Sequence, residues 1–153
     1  MAEVAETLAA AGSIHYGQAR ELLERAAREF AAAIHAAPDD DWRVPAWQLE
    51  FARVHEALSQ DVQAEAVYAA ATWRVERIAG CPTSHNLVQF ALAEFYLRRR
   101  QHETALLASM SDAPGDNAPD AWLLHLIKAQ AYAGLDRHDE CVAGANDFIV
   151  AAP

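Results

Sequence analysis

The chain has 153 residues, one domain's worth of polypeptide, enough to bury roughly two-thirds of its unfolded surface around a single core. Its 53% hydrophobic, 8% aromatic and 22% charged residues place it in the globular range and exclude a disordered chain. Twelve basic against twenty-two acidic residues give a net charge of −10, a surface that repels a phosphate backbone, so nucleic acid is not an expected ligand.

The N-terminus, Met1-Ala2-Glu3-Val4-Ala5-Glu6, lacks the basic segment of a secretory signal. No uncharged apolar run approaches the roughly twenty residues that span a bilayer, so no membrane association and a cytoplasmic location are expected. Apolar residues recur at three- and four-residue intervals along nearly the whole chain, which predicts an all-α fold. A short helix over Glu3 to Ala11 is expected to end at Gly12. A second runs from Tyr16 to Ala36 on the stripe Leu22, Leu23, Ala26, Phe30, Ala33 and Ile34, and stops at Pro38 and Asp39-Asp40-Asp41. Pro45 suits the first turn of a third helix carrying Trp47, Phe51, Val54 and Leu58. Trp47 is expected in the core and Trp42 partly exposed.

Ser59 or Asp61 can cap a fourth helix with Val62, Ala66, Tyr68, Ala71, Val75 and Ile78, closed by Gly80 and Pro82. Thr83 or Ser84 opens a fifth, through Leu87, Phe90, Leu92, Phe95 and Tyr96 to Arg98-Arg99-Arg100. A sixth spans about His102 to Ser109. The prolines and glycine between Ser111 and Pro119 mark a loop. Asp120 caps a seventh helix through Trp122, Leu126, Ala129 and Tyr132 to Gly134, and an eighth covers His138 to Ala151. Eight helices with short connections make four antiparallel pairs.

A small residue, an aromatic or histidine three later and a small residue nine beyond recur as Ala52/His55/Ala64, Ala93/Tyr96/Ala105 and Ala129/Tyr132/Cys141. A partial copy is Ala26, Phe30, Ala33 and Pro38. Small residues at facing points let two helices approach closely, while the aromatic seals one pair against the next. The pattern resembles the tetratricopeptide repeat, although alanine replaces the usual glycine, His55 replaces a tyrosine and the spacing exceeds the family's. The resemblance implies one domain over residues 1–153, built as a solenoid of stacked antiparallel hairpins. An irregular helical bundle is the competing architecture.

No motif for catalysis stands out. The seven histidines form neither an i, i+4 pair nor a His-Glu-x-x-His motif, Cys81 and Cys141 lie far apart, and neither a metal nor another cofactor is expected. Arg98-Arg99-Arg100 reads as helix C-terminal cations that offset the macrodipole and nearby carboxylates, more than as an anion site. The resemblance implies a non-enzymatic module that holds a protein or peptide segment on the face made by the first helix of each pair. Its matching positions are Leu49, Arg53, Phe90, Glu94, Leu97, Leu126 and Gln130. The asparagine and lysine carboxylate clamp of chaperone-binding members has no counterpart there. Residues from His85 to Ala152 are faintly similar to the small tetratricopeptide chaperones of bacterial type III secretion. The alternatives are an adaptor or immunity-type protein masking a basic partner, or a small helical enzyme using Cys81 with His85.

Overall fold

A computed structural model describes residues 2–78, 80–81, 83–110 and 120–152, with side chains from residue 17 onward. The fold is all-α, with no strand among the described residues. In chain order the helices are α1 (Ala2–Ala36), α2 (Val44–Ala57), α3 (Asp61–Val75), α4 (His85–Arg98), α5 (His102–Ser109), α6 (Ala121–Gly134) and α7 (His138–Ala151). The expected break at Gly12 does not occur, because α1 passes through it without interruption. One interior glycine costs a helix about 1 kcal/mol against alanine, and the alanines beside Gly12 are the strongest helix formers. The loop expected between Ser111 and Pro119, and the stop at Pro82, lie outside the described residues.

Helices α2 and α3, α4 and α5, and α6 and α7 pack as pairs. The turns inside the pairs share one backbone. Ser59, Arg100 and Asp136 adopt left-handed φ values of 58°, 58° and 56°. The following N–H groups, of Gln60, Gln101 and Arg137, donate to the carbonyls of His55, Tyr96 and Tyr132 at 2.8, 3.0 and 3.0 Å. This bond from just past a helix back over its last turn satisfies carbonyls that the helix end would otherwise orphan. It repays the steric cost of a non-glycine residue at positive φ. Gln60, and neither Ser59 nor Asp61, is the residue that opens α3, because Ser59 is spent on the turn. Ser84 does cap α4, accepting from the Leu87 N–H at 3.0 Å. The spacing of these turns is the spacing of the small-residue pattern in the sequence.

Successive pairs meet where α2 and α3 touch α4 and where α4 and α5 touch α6, while α1 packs on α2. Among the described residues each helix therefore touches only helices one or two places away in the chain. Such an arrangement stacks pairs in one dimension. Ala52, Ala64, Ala93 and Ala105 are completely buried, and the larger Tyr68, Val88 and Phe95 fill the space around them. In the last pair the close approach falls to Gly144, where a methyl would sit 3.3 Å from the Ala129 backbone nitrogen.

The buried stripe of α3 is Ala64, Tyr68, Ala71 and Val75, so Val62 and Ala66, expected on the apolar face, are exposed. This difference gives an internal control. Ala64→Leu should lower the unfolding free energy by about 1–3 kcal/mol through overpacking, whereas Ala66→Leu, half a turn away, should change it by less than about 0.5 kcal/mol. Equal effects in urea titrations would mean the helix is rotated from the orientation described. Trp42 is partly exposed as expected, whereas Trp47, expected in the core, is only half-buried beneath the Arg43 guanidinium, 5.1 Å from its ring centre, because it lines a surface groove.

Candidate partner-binding face

The residues expected to meet a partner fall on the first helix of each pair. Leu49, Phe90 and Leu126 occupy one register on α2, α4 and α6, and Arg53, Glu94 and Gln130 occupy the next. Because α4 touches both α2 and α6, these registers run across three neighbouring helices. Phe90, Leu97 and Leu126 are half-buried, and Arg53 and Gln130 are exposed. Leu49 is corrected by the structure: it is only 6% exposed and belongs to the buried cluster with Ala52, Tyr68 and Phe95. Leu97 also leans on that cluster. One turn before Phe90 and Leu126, Leu87 is exposed and Leu123 half-buried, which widens the apolar part of the face across α4 and α6.

The α2 side is charged. Arg53 pairs with Glu50 at 2.6 Å and Arg98 with Glu94 at 2.9 Å. Behind them lies a network that periodicity does not disclose. The Glu56 carboxylate, 13% exposed, accepts from the Tyr68 hydroxyl at 2.6 Å, from Arg98 at 2.8 Å and from Arg99 at 3.3 Å. Arg99 also reaches Asp61, and its guanidinium lies 3.7 Å over the Phe95 ring. Three helices are thus joined through one carboxylate. A similar bond links Tyr96 to Glu65 at 2.6 Å. The arginines of the Arg98-Arg99-Arg100 run that reach carboxylates are therefore engaged within the protein, as their reading as charge-offsetting cations anticipates.

Burial alone would raise the Glu56 carboxyl, but the hydrogen bonds from Tyr68, Arg98 and Arg99 outweigh it and hold it below the usual range. The Arg99 guanidinium lowers Asp61, and the Arg43 side chain and backbone lower Asp41 to about 2. Burial and the bond to Glu65 push the Tyr96 hydroxyl up to about 12. Groups held below their ordinary values stabilise the fold above those values and lose that contribution as pH falls through the lowered ones. The unfolding midpoint should therefore be flat near neutrality and fall as pH drops from 4.5 towards 2. Thermal melts across that range check this, and a midpoint rising with acidity would contradict the network.

Cys81 and His85 turn to different partners. The Cys81 thiol donates to the Trp42 carbonyl at 3.6 Å, and the His85 ring lies 2.6 Å from the Gln89 amide and 3.8 Å from Glu76. His55, at the position that Tyr96 and Tyr132 take before the later turns, meets the Gln60 side chain at 2.7 Å and lies beside the Phe51 ring, so it braces its turn. No group of three or more metal-ligating side chains converges among the described residues, and no described helix is long and apolar enough to cross a membrane. No family model matches the chain, and comparison with curated proteins and with solved structures finds no match.

Proposed function

We propose that the chain is a non-enzymatic, tetratricopeptide-like binding module, working in the cytoplasm as a small chaperone or adaptor. It holds a protein segment on the face of α2, α4 and α6. The observation that carries this reading is the partly exposed apolar quartet Leu87, Phe90, Leu123 and Leu126, at matched registers on two neighbouring helices. Apolar side chains set beside a charged border suit a segment with apolar anchors. The net charge of −10 favours basic residues flanking those anchors.

The test starts with capture from a lysate of the source organism, followed by titration with the purified candidate partner. Phe90→Glu combined with Leu126→Glu should leave helicity intact and weaken that titration by about a hundredfold or more. Arg53→Ala, at the charged edge, should weaken it by less than about tenfold. If the double variant is folded and binds normally, the face is not the site. If it unfolds, those side chains are core and the irregular bundle is the better architecture.

A further inference from the structure

We propose that the chain pairs with a second copy of itself through α1, the N-terminal half of each α1 lying in the groove between α1 and α2 of the other. Helix α2 touches both α3 and α4, and α4 touches both α5 and α6, so the seams between successive pairs are each covered. Among the described residues no helix lies across the corresponding seam between α1 and α2. There the surface opens into a groove of about 350 Å³ lined by Ala26, Glu29, Phe30, Ala33 and Trp47. Four of its five lining residues are apolar, which suits the apolar stripe of a helix.

Helix α1 itself supplies one. It runs antiparallel to α2, with Phe30 6.3 Å from Phe51 and a small cleft between Ala19, Leu23 and Ala57, Leu58. Helix α2 therefore ends alongside about residue 19, while α1 begins at Ala2. The preceding stretch continues for roughly 25 Å beyond it at about 1.5 Å per residue. A helical arm of that length is marginal in water without a surface to pack on. The sequence of the arm, with Val4, Leu8 and Ala11, has the three- and four-residue spacing of Leu22, Ala26 and Ala33, and Leu22 is 67% exposed. The arm contains Glu3 and Glu6 and no lysine or arginine before Arg20, whereas at the groove Arg43 lies over the Trp47 ring and Arg25 pairs with the lining Glu29. A two-fold axis near residue 19 sets the arm of one α1 along the groove half of the other and closes the assembly as a symmetric dimer.

Sedimentation of the full chain at tens of micromolar should give twice the 16.7 kDa chain mass. Ala33→Glu and Leu22→Glu together should weaken dimerisation by about tenfold or more with helicity retained, because both side chains are exposed in one copy. In a variant without Cys81 and Cys141, Gln18→Cys should form an intermolecular disulfide on oxidation. A monomeric wild type, including one whose arm folds back on its own groove, overturns the proposal. So does a dimer that survives the two glutamates or fails to cross-link through Gln18→Cys. Because the residues lining the groove include none of Arg53, Phe90 and Leu126, partner titration and dimerisation can fail independently.

Discussion

Replacing Phe95 by alanine should cost about 3–5 kcal/mol of unfolding free energy, the range for removing a fully buried aromatic ring. Phe95 is 2% exposed where α3 meets α4, with ring centres of Tyr68 and Tyr96 at 5.6 and 5.4 Å. It is also the surface on which the Arg99 guanidinium rests, 3.7 Å from the ring centre. Its loss opens a cavity between two pairs and removes the support that aims Arg99 at Glu56 and Asp61. At about 2–4 °C per kcal/mol for a chain of this size, the melting midpoint should fall by about 10 °C. Phe95→Leu keeps most of the volume without the aromatic face and should recover more than half of the loss. A cost below about 1 kcal/mol for alanine would mean that the junction between the first two pairs is not a packed core.

How much of this is legible in the sequence depends on the range of the interaction. The small-residue pattern Ala52/Ala64, Ala93/Ala105 located pairs whose turns superpose in φ and in hydrogen bonding, because close helix approach leaves a direct mark on residue size. Ser84 and Pro45 were legible for the same reason, since capping and helix starts are local chemistry. Gly12 misled because its local preference for a break is weak against a long alanine-rich helix. Val62 misled because periodicity alone does not fix the rotation of α3 about its axis. Leu49 shares its register with Phe90 and Leu126 yet is buried, since exposure depends on the neighbours that cover each copy of a repeat. The Glu56 network was invisible because Arg98 and Arg99 come from another pair. The separations Glu56 to Arg98 and Asp61 to Arg99 are 42 and 38 residues. Both are close to one repeat length, so opposite charges offset by the repeat period are the signal that could have found them.

Glu56 is the place where that long-range chemistry can be measured. Glu56→Ala removes the one acceptor shared by Tyr68, Arg98 and Arg99, and leaves the Tyr68 hydroxyl, on a side chain 1% exposed, without its hydrogen bond. Breaking a fully buried ionic pair costs about 3–5 kcal/mol. Arg98 is 45% exposed and keeps Glu94, and Arg99 keeps Asp61, so solvent and the remaining carboxylates offset part of the loss. The expected cost is about 2–4 kcal/mol, with Glu56→Gln less damaging because an amide oxygen can still accept from Tyr68. Tyr68→Phe combined with Glu56→Ala should be milder than the sum of the single variants by about 0.5–2 kcal/mol, since each removes the same bond. The acid limb of the melting curve should also flatten in Glu56→Gln, because a group that is never ionised no longer binds a proton on unfolding. Strict additivity with an unchanged acid limb would show that the carboxylate does not tie α2 to α3 and α4.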